Sequence, residues 1–340
     1  MISSQNHKLK YCLTLGIVAM EGRGFEYPSD AVIAEKGKIY VTNKSRDYGE
    51  RGVRITVLDF DSHYYGTFGH YGFGEGNLIS PSGITADSDG SLYVADDYTN
   101  SVTSFDLDGN FKHRWGTKGG KKGELHGPSG IASDSKGHIY ISDTRNHRIQ
   151  KFTTSGEFIS SFGSLGAGDG ELNLPWGLDV SSSGEIHVAD WGNNRIQKFS
   201  SDGDFIELNN FSDDCGSHLN HPSSVAVDRD GNKYIADWGN ESIKVFDASG
   251  IFLQEMRGEA TLSKWASEFL ETNKEEGLSR RSADLEAVGS IPESKDPHTI
   301  SAHIEKFFWS PVSVKLQGAD YLFVTESNRH RIQVYSLNSS

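Results

Sequence analysis

The sequence predicts an all-β fold, a six-bladed β-propeller built from four-stranded blades. Three observations lead to this prediction. A proline motif recurs along the chain, a polar residue stands fifteen positions after each of its prolines, and the composition is rich in glycine and aromatic residues. The 340 residues contain 38 glycines, 13 tyrosines and 18 phenylalanines, which is typical of many short strands joined by tight turns.

The proline motif marks the start of each repeat, and four copies follow one another at intervals of 47 residues. With one earlier and one later copy, the six prolines are Pro28, Pro81, Pro128, Pro175, Pro222 and Pro311. The polar residues that end the next apolar strand are Asn43, Asp96, Asp143, Asp190, Asp237 and Glu326. Arginines follow at Arg148, Arg195 and Arg331, and Arg54 fits the first copy if that copy carries a loop insertion. We expect the acid–arginine pairs to brace the fold rather than to act in catalysis.

Each copy has the pattern of four short antiparallel strands. In the third copy they cover 130–133, 138–142, 148–153 and 158–162, with tight turns at 134–137 and 154–156. One such sheet cannot bury both of its faces. Radial packing of six sheets buries them, which is the propeller arrangement.

The two ends of the chain predict how the ring closes. The sixth copy stops after its third strand, and the segment Leu9–Gly16 matches the missing outer strand. Its Leu15-Gly16 ending corresponds to Trp115-Gly116 in a complete copy. We therefore expect the N-terminal strand to complete the last blade, which removes an exposed sheet edge. The expected organisation is a single propeller domain over residues 1–340.

Residues 259–309 lie between the fifth and sixth copies and do not repeat. Apolar residues at helical spacing in Thr261–Thr272 predict a helix that buries Leu262, Trp265, Ala266, Phe269 and Leu270. Asp296 and Pro297 predict the start of a second helix, with Ile300, Ile304, Phe307 and Phe308 inward. The charged stretch 275–295 is expected to be a spacer with a short helix near Ser282–Val288. We expect this insertion to pack on blades five and six and to cover part of the channel entrance.

Two segments, Asp143-x-x-Asn146-x-Arg148-Ile149-Gln150-Lys151-Phe152 and its copy beginning at Asp190, resemble NHL repeats. The resemblance extends over nearly the whole chain except residues 259–309. It implies a propeller, but it does not select a function, because NHL propellers include protein-binding scaffolds, RNA-binding modules and lyases. Fold alone does not specify function.

The residue after each repeat proline begins the innermost strand. In the amidating lyases of the propeller class that this chain resembles, that position supplies zinc-binding histidines. Here the six residues are Ser29, Ser82, Ser129, Trp176, Ser223 and Val312, and the only carboxylate nearby is Asp30. Catalytic zinc needs about three converging protein ligands. We therefore expect no metal, no cofactor and no catalytic residues in the channel.

Composition excludes several classes of partner. The net charge of −14 argues against a nucleic-acid partner. No run of consecutive apolar residues approaches the length that a membrane-spanning helix needs. Two cysteines, Cys12 and Cys215, cannot form a disulfide framework, so a cytoplasmic protein is expected. The spacing Cys215-x-x-His218-x-x-His221 keeps a metal site in this loop as an alternative that the sequence does not decide. The oligomeric state is also open.

Candidate binding residues lie in the loops between second and third strands, on the side of the channel entrance. They are Tyr98, Arg145, His147, Trp191, Trp238, Arg329 and His330, with Trp176 at the channel mouth. Loop tips carry function in such folds, and aromatic residues with arginine are typical of binding hot spots. We expect a scaffold that binds a protein or a small molecule. The alternatives are that the tryptophans only pack on neighbouring blades, or that a lyase or hydrolase works in the channel mouth under the insertion.

Overall fold

A computed structural model describes residues 9–34, 37–45, 51–209, 217–285 and 294–337. These residues form six antiparallel sheets of four strands each. The innermost strands of neighbouring sheets contact one another in a closed ring around a central channel. The predicted six-bladed β-propeller is confirmed.

The chain begins with β1 (Lys10–Leu15) and then fills the blades in order, each from the channel outward. Blades one and two contain β2 (Pro28–Ile33), β3 (Ile39–Asn43), β4 (Arg54–Leu58), β5 (Tyr64–Phe68), β6 (Pro81–Ala86), β7 (Ser91–Asp96), β8 (Ser101–Asp106) and β9 (Phe111–Trp115). Blades three and four contain β10 (Pro128–Ser133), β11 (His138–Asp143), β12 (Arg148–Thr153), β13 (Phe158–Phe162), β14 (Pro175–Val180), β15 (Ile186–Asp190), β16 (Arg195–Phe199) and β17 (Phe205–Asn209). Blades five and six contain β18 (Pro222–Val227), β19 (Lys233–Asp237), β20 (Ser242–Phe246), β21 (Phe252–Met256), β22 (Pro311–Gln317), β23 (Tyr321–Glu326) and β24 (Arg331–Ser336).

The first hairpin of a blade follows from the aspartate at its turn. Asp134 Oδ1 accepts hydrogen bonds from the backbone N–H groups of Lys136 and His138, both at 2.9 Å. Gly137 then takes the left-handed conformation, with φ +79°, which a residue without Cβ adopts at no steric cost. Asp87 and Asp228 make the same bonds in blades two and five, so the turn chemistry fixes the strand register.

The ring closes as the sequence predicts. Strand β1 pairs antiparallel with β24 as the outermost strand of blade six, and Leu15 lies opposite Ile332. Both side chains are fully buried between blades six and one. Pairing the two ends of the chain within one sheet leaves no open edge at the junction.

The innermost strands approach one another too closely for side chains at one repeated position. A Cβ added to Gly130 would lie 2.4 Å from the carbonyl oxygen of Trp176 in the next blade. Gly83 and Gly177 are equally confined, at 2.6 Å from the carbonyls of Ser129 and Ser223. The channel is therefore narrow, with an open volume of about 20 Å³.

Three helices in the described residues connect β21 to β22, and none is long and apolar enough to cross a membrane. The first, α1 (Lys264–Thr272), starts at the Ser263 cap, whose Oγ accepts from the Ala266 N–H at 3.1 Å. The expected apolar stripe is only partly buried. Trp265 is 1% exposed, whereas Leu262 and Phe269 are 39% and 47% exposed.

Helix α1 lies at the junction of blades six and one instead of over the channel. Trp265 packs on Phe25 and Tyr64, and its Nε1 donates to the Ser62 carbonyl at 2.8 Å. Ser263 Oγ donates to the carbonyl of Gly16, at the end of β1. The insertion therefore reinforces the place where the ring closes.

The rest of the insertion differs in part from expectation. A second helix, α2 (Lys274–Ser282), occupies part of the stretch expected to be a spacer. The short helix predicted at Ser282–Val288 is not formed at 283–285, and its remaining positions lie outside the described residues. The third helix, α3 (Pro297–His303), starts at Asp296, whose carboxylate accepts from the Thr299 N–H at 2.9 Å, as predicted. It ends before the expected Ile304 and Phe308, which are nevertheless buried against the ring.

Removing residues 1–16 should leave β24 with a bare edge and take Leu15 out of the core. We expect the truncated protein to aggregate or to melt at a lower temperature than the full chain, measured by circular dichroism and light scattering. Cooperative melting of the truncated protein at an unchanged temperature would contradict the closure.

Candidate functional site

The loops of the entrance face are held by one repeated hydrogen bond. In each blade the last residue of the second strand is fully buried, and its side-chain oxygen accepts a backbone N–H from the connection that precedes the blade. The distances lie between 2.6 and 3.2 Å, and donor and acceptor are always 17 residues apart. The six acceptors are Asn43, Asp96, Asp143, Asp190, Asp237 and Glu326. We call these six side chains the strand-end clamps.

Cations complete four of the strand-end clamps. The Nε atoms of Arg148, Arg195 and Arg331 lie 2.8, 2.7 and 2.6 Å from the acids of their blades, which confirms the predicted structural pairing. In blade five, Lys244 takes this role at 2.9 Å from Asp237. Burial raises the pKa of Asp237, and the Lys244 ammonium opposes that rise.

Arg195 shows how a clamp reaches three segments at once. Its Nη2 donates to the carbonyls of Gly168 and Glu171 in the preceding connection, both at 2.8 Å. Asn193, in the loop after the second strand, donates to the same Asp190 oxygen at 2.8 Å. The connection, the loop and the third strand therefore share one buried carboxylate.

A second repeated bond joins neighbouring blades. The residue at the left-handed end of the loop accepts a backbone N–H from the next blade at 2.6–3.1 Å. The acceptors are Asn100, His147, Asn194, Glu241 and His330, and we call them the seam acceptors. Two predicted binding residues, His147 and His330, thus use Nδ1 within the seams. Burial lowers the pKa of His330 to about 4.

Five aromatic side chains lie side by side across blades four to six, and three of them, Trp176, Trp191 and Trp238, are predicted binding residues. Trp191 and Trp238 each directly follow a clamp residue and open a short 3₁₀ turn. Ring centroids are 5.9 Å apart for Trp176 and Trp191, and 6.4 Å apart for Trp191 and Trp238. The line continues through His298 to Trp309, at 6.5 and 5.8 Å. We call Trp176, Trp191, Trp238, His298 and Trp309 the aromatic row.

The far end of the aromatic row belongs to the insertion. His298 Nδ1 lies 2.5 Å from Oε1 of the buried Glu241, and the Trp309 Nε1–H donates to His298 Nε2 at 3.1 Å. Because a tryptophan nitrogen can only donate, His298 Nε2 must carry no proton, so Nδ1–H donates to the carboxylate. His298 thereby docks α3 onto blade five.

Arg329, a predicted binding residue, is half-buried and hydrogen-bonded to the insertion. Its Nη2 donates to the carbonyls of Ser301 and Ile304 at 2.6 and 2.7 Å, and its guanidinium lies 5.4 Å from the Trp309 ring centre. Burial lowers its pKa. Arg329 therefore holds the end of α3 and supports the aromatic row from beneath.

Tyr98 and Arg145, the remaining predicted residues, line a separate pocket of about 580 Å³ in front of blades one to three. Tyr98 is 55% exposed, and Arg145 is exposed with no carboxylate of the described residues within 4 Å. Lys118 and His126 line the same pocket. The structure thus divides the predicted site into two parts.

The channel itself is braced by its serines. The Oγ atoms of Ser29 and Ser82 each donate to a carbonyl of the next innermost strand at 2.7 Å. Asp30 accepts from the Ile84 N–H at 3.0 Å and lies 3.4 Å from Lys315 Nζ. Asp179, which sequence reasoning missed, accepts from the Val227 N–H at 2.8 Å, and burial raises its pKa. These groups hold strands together.

Metal-ligating side chains converge at one place among the described residues. Asp59, Asp61 and His63 bring ligand atoms within 4.8 Å of one another in a turn on the face opposite the channel entrance. Of the sequence candidates, Cys215 lies outside the described residues. His218 is exposed, and the His221 ring packs 4.2 Å from Trp191 while Nδ1 lies 2.7 Å from Asn220 Oδ1.

Comparison with known proteins supports the fold. Residues 125–152 and 172–199 match the NHL repeat, so the chain carries NHL repeats. No curated protein sequence matches the chain. Virginiamycin B lyase from Staphylococcus aureus superposes with TM-score 0.56 at 15% identity over 97% of this chain and 100% of that one.

Two further solved structures have the same fold. A chain of a nidogen–laminin complex gives TM-score 0.53 at 17% identity, over 73% of this chain and 92% of that one. A protein of unknown function from Bacteroides thetaiotaomicron gives 0.60 at 16% identity, over 97% and 76%. At these identities the likeness concerns the fold alone.

His330→Asn tests the seam acceptors. Asparagine occupies this position in two other blades, so it should keep the bond to the Tyr27 N–H without titrating. Because the folded-state pKa of His330 lies near 4, below the ordinary 6.5, the wild type should lose stability as pH falls through this range. Urea unfolding at pH 7 and pH 5 should show a smaller loss for the variant.

The exposed His70 offers a control, as His70→Asn removes a histidine outside the seams. Equal losses for wild type and His330→Asn would contradict the assigned role of His330.

Proposed function

We propose that this protein is a binding scaffold that holds a polypeptide partner along the aromatic row. The observation that carries the proposal is the placement of four of its six tryptophans in one line across blades four to six. Tryptophan is the residue type most enriched at binding hot spots, because a rigid ring covers a large area at a small entropic cost.

The tryptophans are accessible and rigidly mounted. Trp176 is 39% exposed, and Trp191 and Trp238 are half-buried, so each presents part of its ring to solvent. Trp191 and Trp238 follow clamp residues that are fully buried. A partner would thus meet rings that need little further ordering, which lowers the entropic cost of binding.

The spacing of the rings favours an extended chain. Neighbouring centroids in the aromatic row are 5.8–6.5 Å apart. Alternate residues of an extended strand, which point to the same side, are about 6.6 Å apart. Successive same-side residues of a bound strand can therefore each contact one ring.

Charge favours a basic partner. The chain carries 47 acidic and 33 lysine or arginine residues, a net charge of −14. Cations bind well over indole faces, and the long-range field attracts a positive segment. We therefore propose a lysine- or arginine-containing segment as the ligand class.

The alternative function is a lyase or hydrolase working in the channel mouth. Likeness to virginiamycin B lyase favours it, but that likeness supports the fold only. The 20 Å³ channel would keep any substrate outside, near Trp176, and the channel serines are engaged with neighbouring strands. A stoichiometric divalent ion in the purified protein would favour the enzyme.

The test is the double variant Trp191→Ala, Trp238→Ala. The probe is a nine-residue peptide of alternating arginine and serine, compared by calorimetry with its glutamate counterpart. We expect the wild type to bind the arginine peptide preferentially and the double variant to lose about 2 kcal/mol, roughly 30-fold, while it stays folded.

Trp265→Ala is the matched control because Trp265 is buried in the blade junction. It should cost about 3–5 kcal/mol of folding stability and leave peptide binding intact below its melting temperature. Absence of binding to the arginine peptide, or unfolding of the double variant, would overturn the proposal.

A further inference from the structure

One position of the repeat carries a different residue in blade four. In each blade one buried residue of the second strand lies opposite the fifth residue of the first strand. In five blades this residue is aromatic: Tyr40, Tyr93, Tyr140, Tyr234 and Phe323. In blade four it is His187, opposite Asp179. His187 is as buried as the aromatic residues, at 3% exposure.

The large ring normally fills space next to the following blade. Tyr40, for example, donates its hydroxyl to the Leu107 carbonyl of blade two at 2.8 Å. Histidine is smaller, and at this place a pocket of about 240 Å³ opens between blades four and five. The pocket is lined by first-hairpin turns, so it lies on the face opposite the aromatic row.

The pocket contains a buried cation that forms no ion pair with the described residues. Lys233 is 2% exposed, and its Nζ donates to the carbonyls of Ala248 and Asp247 at 3.1 and 3.4 Å. Within the described part of the chain, no carboxylate oxygen lies within 4 Å of this nitrogen. Burial lowers the pKa of Lys233, and the carboxylates of Glu207, Asp247 and Glu185 oppose this only from beyond 4 Å. An anion in direct contact would therefore stabilise the buried ammonium.

His187 adds a second group without a partner. Its Nδ1 is buried and forms no hydrogen bond among the described residues. Burial, together with the nearby Lys233 and Lys198 charges, lowers the pKa of His187 to about 4. A buried polar nitrogen without a partner is rare in native proteins and calls for an explanation.

Three acids near the pocket already bind other groups, and Asp230 lies exposed at its rim. Glu185 pairs with Lys198 Nζ at 2.8 Å, and Asp228 accepts the hydroxyl of Tyr234 at 3.0 Å. Asp247 accepts from the Ile251 N–H at 2.8 Å, and Glu207 lies opposite Lys198 on the outer strand. None of them satisfies Lys233 directly.

We propose that the pocket between blades four and five binds a small anion, a phosphate or carboxylate group, through Lys233 and His187. The anion supplies the direct counter-charge that Lys233 lacks, and Lys198, which is paired with Glu185, lines the same pocket. Ser182 adds a hydroxyl donor at the rim, whereas Ser181 and Ser183 are bonded to each other and to Glu185. This site lies on the other face from the proposed polypeptide site and does not depend on it.

The test uses inorganic phosphate and acetate as probes, with binding measured by calorimetry and by NMR titration of His187. Saturable binding of either probe, with a rise in the His187 pKa, supports the proposal; the tighter probe identifies the chemistry. His187→Tyr restores the residue of the other blades and should fold normally while weakening binding at least tenfold. Lys233→Met should weaken it as much.

Lys136→Met, at an exposed lysine in a turn on the same face, is the control and should bind like the wild type. The proposal is overturned if neither probe binds the wild type saturably, or if His187→Tyr and Lys233→Met bind as tightly as the wild type.

Discussion

A buried side-chain oxygen at the end of each second strand accepts a backbone N–H from the connection 17 residues before it, and the entrance face depends on this bond. Leaving such an acid without partners would cost several kcal/mol. The connection, the loop and the third strand must therefore converge on the acid. Loops are usually the least fixed parts of a fold, but here they are hydrogen-bonded to the same buried side chains as the strands.

This constraint explains where the candidate surface lies. Trp191 and Trp238 are the residues directly after clamp acids, so the repeat mounts both rings in equivalent places. The seam acceptor Glu241 then receives His298 from α3, which brings Trp309 into line. The repeat supplies most of the aromatic row, and the insertion extends it to blade six.

The repeat also decides how much could be predicted from sequence. Blade number, strand order, closure by β1 and the acid–arginine pairs all follow from a repeated motif in which the proline and the clamp residue are always 15 positions apart. Contacts across seams do not show in this way, because His330 and its donor Tyr27 lie at opposite ends of the chain. The sequence therefore predicts His147 and His330 as binding residues without showing that their Nδ1 atoms join neighbouring blades.

The insertion was the least predictable part because it has no repeated counterpart. In α1 the apolar spacing predicts a buried stripe, yet only Trp265 is fully buried and Phe269 is exposed. His187 was overlooked for the opposite reason. Its signal, a histidine where other copies have tyrosine or phenylalanine, becomes visible only when strand registers are aligned.

The most direct test of this account is the unfolding free energy of Asp190→Asn, measured with urea. Asp190 Oδ1 accepts the Asn173 N–H, and Oδ2 accepts from three side-chain donors. In either orientation the N–H₂ group of an asparagine would therefore face a donor. Asp202→Asn, at an exposed aspartate of the same blade, makes the same charge change. We expect a loss of about 3–5 kcal/mol for Asp190→Asn and less than about 0.5 kcal/mol for Asp202→Asn. Equal stability of the two variants would contradict the central role of the strand-end clamps.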